Sequence, residues 1–183
     1  MPETNKTPIS HEVNVHHLAR KGLPVSISAN ESERRALAEE HDLLSVADFA
    51  AELMVRPWKA DGVRITGTVA ADITQACVVT LEPVASRIEE NVSVTLVPEG
   101  SRLARNEIEG GEFVLDAEGP DMPDTFQGSI IDVGAIAVEF FSLGIDPYPR
   151  KPGAVIETSQ PLDDTPNEAG PLYEGLRKLG QKS

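Results

Sequence analysis

A chain of 183 residues, 40% hydrophobic and 25% charged, is long enough for one domain whose core needs neither metal nor disulfide. Its single cysteine excludes an internal disulfide and fits a reducing compartment, and with only 4% aromatics the core must be built from Val, Ile, Leu and Ala. A formal net charge of −14, from 30 acidic and 16 basic residues, opposes broad contact with nucleic-acid phosphates and favours basic partners. No apolar run approaches the roughly 20 residues of a membrane span, and the N-terminus lacks the pattern of a secretory leader. A cytoplasmic protein without membrane contact is expected.

In chain order, Val13–Val15 is a short apolar piece, and Val25, Ile27 and Ala29 alternate with Ser26 and Ser28 as a strand does. Asn30 and Glu33 have capping-box spacing and predict a helix running to about Leu44. Ser45 and Asp48 repeat the start signal, and Val46, Phe49, Ala50 and Leu53 fall at helical spacing. A second helix is therefore expected, ending near Arg56 because Pro57 disfavours helix just before it. Val63, Ile65, Gly67, Val69, Ala71 and Ile73 then share one side of a strand, with Gly67 marking a bulge or a close backbone approach. TQACVVT predicts a second strand, broken by Leu81-Glu82-Pro83. A third runs from Arg87 to Val97, with Ile88, Val92, Val94 and Leu96 on one face. Breaks this short imply an antiparallel meander.

From about 99 to 125 the chain is acidic, with Glu99, Glu107, Glu109, Glu112, Asp116, Glu118, Asp121 and Asp124 opposed only by Arg102 and Arg105. A surface loop with one short strand at Phe113–Leu115 is predicted there. Asp132 caps a third helix, VGAIAVEFFSL, with Gly144 after it, and Val133, Ile136, Ala137 and Phe140 form its apolar stripe. The Pro- and acid-rich stretch after residue 155 has the composition of a flexible tail, ending in Leu172, Leu176 and Leu179 at helical spacing.

Chemistry-bearing patterns are sparse. Cys77 could be a nucleophile, the remnant of a metal site, or a packed apolar residue. All four histidines lie in the first quarter of the chain, and C-V-V-T lacks the second thiolate of a C-x-x-C clip. Packing is therefore the expected role. No G-x-S-x-G elbow, phosphate-binding glycine loop or calcium loop occurs. Neither a catalytic constellation nor a metal site nor a cofactor site is expected. Local positive charge is read at Arg150-Lys151 and in the C-terminal Arg177, Lys178 and Lys182.

The stretches GVRITGTVAADITQACVVTLEPVASRIEENVSVTLVP and IDVGAIAVEFFSLGIDPYPRKPGA, preceded by ESERRALAEEHDL, resemble the large ribosomal RNA subunit accumulation protein YceD family in its alphaproteobacterial form. The resemblance covers roughly residues 25–155. Many members carry C-x-x-C where this chain has Cys77 and Thr80, a departure that weighs further against metal here. The resemblance implies a non-enzymatic role in ribosome assembly.

Together these readings give an α+β fold: an antiparallel β-sheet, as a meander or partly open barrel, packed with about three helices. One domain over 1–155 would carry the acidic loop, and 156–183 would be a flexible tail. The expected function is a non-enzymatic factor in large-subunit assembly or ribosomal RNA accumulation. Its partner would be a basic ribosomal protein or assembly intermediate, with indirect association with ribosomal RNA. The alternatives are a direct RNA-binding module and an enzyme with an unrecognised site. The candidate binding residues are Tyr148, Arg150, Lys151, Leu172, Leu176 and Leu179.

Overall fold

Three long neighbouring strands dominate the computed structural model, which describes residues 7–104 and 122–154. The elements run β1 Glu12–Asn14, β2 Leu23–Ser28, α1 Glu31–Glu40, β3 Ser45–Trp58, β4 Gly62–Ala76, β5 Pro83–Pro98, β6 Asp124–Phe126, β7 Ile130–Asp132 and α2 Val133–Leu143. Strands β2-β3-β4-β5-β6 form one sheet in that order, and β1 pairs separately with β7. The pairs from β2 to β5 are antiparallel, as the meander predicts, while β6 joins β5 in parallel.

The expected second helix is a strand. Residues 45–58 form β3, so the described residues hold two α-helices rather than about three. A bulge explains the misleading spacing. Register shifts between Val46 and Asp48, so Val46 and Phe49 both face inward although three positions apart. Beyond it strict alternation holds: Phe49, Ala51, Leu53 and Val55 are buried. Pro57 is tolerated because it lies past the last β2 partner pair, Leu23 and Val55.

A second difference concerns TQACVVT. Its first residues continue β4 to Ala76, and Cys77 falls in the turn before β5 rather than in a strand of its own. The inward parity of Val63, Ile65, Gly67, Val69, Ala71 and Ile73 extends through Gln75 to Cys77. Gly67 marks a close approach: it pairs with Leu53, and a Cβ there would overlap the carbonyl oxygen of Glu52.

Asn30 makes the predicted capping box, accepting from the N–H groups of Ser32 and Glu33 while the Glu33 carboxylate accepts from Asn30 N. Helix α1 ends at Glu40, before the expected Leu44, with Asp42 at positive φ. Asp132 caps α2 as predicted and binds the N-terminal segment as well. It accepts from Gly134 N, Ala135 N, His11 N and Ser10 Oγ. Burial opposes its ionisation, but these donors together prevail and hold the carboxyl below its ordinary range.

The inward face of α2 is rotated from the predicted stripe. Val133, Gly134, Ala137, Val138 and Phe141 are buried, whereas Ile136 and Phe140 are half-buried. Phe141 is the joint between layers, meeting Phe49 of β3 edge-to-face at 5.5 Å and the His41 ring at 5.4 Å. The predicted strand at Phe113–Leu115 and the tail from 156 lie outside the described residues.

Because the Glu52 carbonyl leaves no room at position 67, Gly67→Ala must push β3 and β4 apart. The expected loss is about 1–3 kcal/mol, as for an overpacked core. Chemical denaturation of both proteins measures it.

Candidate functional site

Three places on the domain concentrate chemistry: the Cys77 turn and the two ends of the long strands. The turn is closed by Cys77 N donating to Glu82 O at 2.8 Å and Leu81 N donating to Cys77 O at 2.9 Å, with Leu81 at φ 60°. The segment after α2 folds across it. Val78 N donates to Pro149 O at 2.9 Å, and the Gln75 amide reaches Asp146 O at 2.8 Å.

The Cys77 side chain is fully covered, yet its neighbours Val78 and Leu81 are 46% and 76% exposed, so the sulfur lies just beneath the surface. Three N–H groups point at it: Lys151 at 3.4 Å, and Val79 and Thr80 at 3.5 Å. These donors favour thiolate. The Lys151 N–H contributes most and the Thr80 hydroxyl next, and against the cost of burial they lower the Cys77 pKa to about 6. Glu82 is held below its ordinary range by the Lys151 ammonium, which it meets at 3.0 Å, and by the Thr80 hydroxyl. Cys77 is thus the anchor of a clasp that binds residues 146–151 to the β4–β5 turn. Among the described residues no group of three or more His, Cys, Asp or Glu side chains could hold a metal ion.

Of the binding residues expected from sequence, Tyr148 is 71% exposed and Arg150 is exposed on this clasp, while the Lys151 ammonium is engaged by Glu82. Leu172, Leu176 and Leu179 lie outside the described residues.

Charge is sorted along the strands. At the α1 end, Glu31, Glu39, Glu40, Asp42 and Asp48 are exposed. Its cations are mostly engaged: Arg35 pairs with Glu31, Arg87 with Asp72 and Lys151 with Glu82, and Arg34 donates to Ala29 O. Arg150 is the exposed exception. A shallow groove of about 270 Å³ opens here, where Glu31 and the 55%-exposed Leu44 stand near one another.

The opposite end carries Arg20, Lys21, Arg56, Lys59 and Arg64, five of the eleven Lys and Arg among the described residues. The β3–β4 register makes Arg56 and Arg64 direct cross-strand partners. Arg20 and Lys21 occupy the tight turn closed by Gly22 N donating to Ala19 O at 2.8 Å, and Gly22 lies against the stem of Arg56. Lys59 adopts φ 53° in the hairpin loop, with its ammonium 4.3 Å from the centre of the Trp58 ring. The Arg64 guanidinium lies 5.9 Å from the same ring, and its Nε donates to Thr95 Oγ1 at 3.3 Å. Asp61 shares the loop, and Asp124 and Glu139 line a cleft with Arg64. Among the described residues none of the five cations is within ion-pair distance of a carboxylate. Sequence reading missed this cluster, although VRPWKADGVR contains most of it. The helix expected over 45–56 separated Arg56 from Arg64, whereas hairpin pairing joins them.

A largely antiparallel sheet with two α-helices among the described residues defines an α+β domain. The family model for the large ribosomal RNA subunit accumulation protein YceD matches residues 65–174, more than half of the chain, and the chain belongs to that family. No curated protein and no solved structure matches it.

The thiol provides a signed pH test. Its folded pKa of about 6 lies below the unfolded value of about 8.5. The stabilisation it contributes is complete above the unfolded pKa and is lost as pH falls through the folded one. The melting temperature of the native protein, relative to Cys77→Ala, should therefore climb between about pH 6 and 8.5 and stay level below pH 6. Paired thermal melts across that range check it, and ultraviolet titration of the thiolate locates the midpoint.

Proposed function

We propose that this chain is a non-enzymatic factor in large ribosomal subunit assembly, acting in the cytoplasm by holding a basic ribosomal protein or an intermediate that contains one. Family membership supplies the link to large-subunit ribosomal RNA. The acidic α1 end carries the choice of partner class: it presents five exposed carboxylates and the exposed Leu44, and the arginines that share the Leu44 groove, Arg34 and Arg35, are engaged by Ala29 O and Glu31. Such a surface suits a segment rich in Lys and Arg, whose heads meet carboxylates while their aliphatic stems cover Leu44.

The clasp residues Tyr148 and Arg150 extend this surface at the same end of the sheet. Use of Lys151 would require it to leave Glu82, an exposed pair that solvent and salt screen. The C-terminal leucines 172, 176 and 179 are proposed as a further contact, ordered on a partner's groove.

Glu39→Lys, Glu40→Lys and Asp42→Lys together should weaken binding of purified basic large-subunit proteins by about tenfold or more at low salt, and the native complex should weaken as salt rises. Titration calorimetry at two ionic strengths checks both. Equal affinity in all four measurements would refute the acidic end as the capture surface.

A further inference from the structure

The cation cluster at the β3–β4 hairpin is the least expected feature of so acidic a chain. Arg56 and Arg64 are directly opposed across the ladder, an arrangement of like charges that costs stability. Lys59 holds a left-handed backbone conformation, uncommon for a residue with a side chain, and its ammonium rests over Trp58. Arg20 and Lys21 add two more charges from the neighbouring turn. Among the described residues Arg35, Arg87 and Lys151 each pair with a carboxylate, whereas none of these five is within ion-pair distance of one. Acidic residues outnumber basic ones by 30 to 16, so five cations gathered at one end with no ion pair among the described residues run against the composition, although Asp61, Asp124 and Glu139 lie at the same end.

We infer that this end binds the phosphate backbone of RNA. This rests on the ribosomal reading above and places RNA at the opposite end of the strands from the basic protein. Arginine is suited to it: the planar guanidinium meets two phosphate oxygens at once, and two such forks stand side by side on adjacent strands. The bond from Arg64 Nε to Thr95 Oγ1 orients one of them, and the Trp58 ring supports its flank. An acidic peptide would meet the same charges; the family's link to large-subunit ribosomal RNA favours phosphate as the anion. The patch spans three strands, roughly 10 Å, so its contacts are with phosphates and do not read sequence.

Position along the strands makes this compatible with the acidic body. Asp48 and Arg56 are eight residues apart on β3, roughly 25 Å, well beyond the screening length at physiological salt. The acidic end therefore does little to repel RNA bound at the hairpin. A chain with this polarity can hold a basic protein and ribosomal RNA at once.

Trp58 is the only tryptophan, so its fluorescence reports on the patch directly. The full chain is titrated with a labelled single-stranded RNA of about 15 nucleotides, followed by anisotropy and by Trp58 emission. Three to five phosphate contacts should give a slope of log affinity on log salt of roughly −2 to −3.5. Arg56→Gln with Arg64→Gln should weaken binding by about tenfold or more and flatten the slope, while the melting temperature holds or rises because the opposed charges are gone. Arg20→Gln with Lys21→Gln, off the ladder, should weaken binding severalfold. All four substitutions should leave capture of the basic protein unchanged. The charge reversals on α1 should do the opposite, so either surface can fail without the other. Polyglutamate of matched charge should compete poorly. The inference is overturned by absent RNA binding at low salt, by unchanged affinity in the arginine variants, or by equal competition from polyglutamate, which would make the patch a site for acidic protein.

Discussion

Pairing of Leu53 with Gly67, where the backbones of β3 and β4 come too close for any side chain, fixes the register on which the domain depends. A slip of one residue would turn Val55, Ile65 and Val69 to water and send Arg56 and Arg64 into the core. With the register set, β5 follows by the same alternation, since Val92 lies beside Gly67 and Ile88 beside Ala71. The apolar face so formed receives α2 through Phe141, which meets Phe49 of β3 edge-to-face. The polar face and the two strand ends then carry whatever the chain presents to partners.

That same register sorts the charges. It places Arg56 beside Arg64 at one end of β3 and Asp48 beside Asp72 at the other. Helix α1 adds Glu39 and Glu40 to the acidic end because it connects β2 to the start of β3. The Cys77 clasp closes this end, tying the chain that follows α2 to the β4–β5 turn through the Lys151 N–H···S contact, the Val78 N–Pro149 O bond and the Lys151–Glu82 pair. A thiol with a packing position and a lowered pKa is consistent with a structural role: the sulfur's acceptor capacity is spent on backbone donors of its own turn and of the clasp.

The sequence carried much of this in local signals. Capping by Asn30 and Asp132 is visible because each side chain satisfies backbone donors within three residues. Alternation in β4 is visible because one face is buried along its whole length. What failed was long-range. The bulge at Val46–Asp48 breaks the alternation of β3 and mimics helical spacing, and only pairing with β4 shows it to be a strand. The α2 stripe was misplaced by one position because the helix is apolar over most of its circumference, so the choice of inward face belongs to the sheet it packs on. The cation cluster was hidden for the same reason: Arg56 and Arg64 face one another only because the hairpin pairs them, and the remote Arg20 joins them only through the register of β2 on β3.

Hydrogen–deuterium exchange of the full chain, alone and with RNA, a basic large-subunit protein, or both, tests most directly the claim that the two ends serve different partners. The account predicts that RNA slows exchange in the turn at residues 19–22 and the hairpin loop at 59–61. The protein should slow it in α1 and residues 41–48, and both sets should be protected together when both ligands are present. Protection of the same peptides by both ligands, or loss of one set when the other ligand is added, would contradict it.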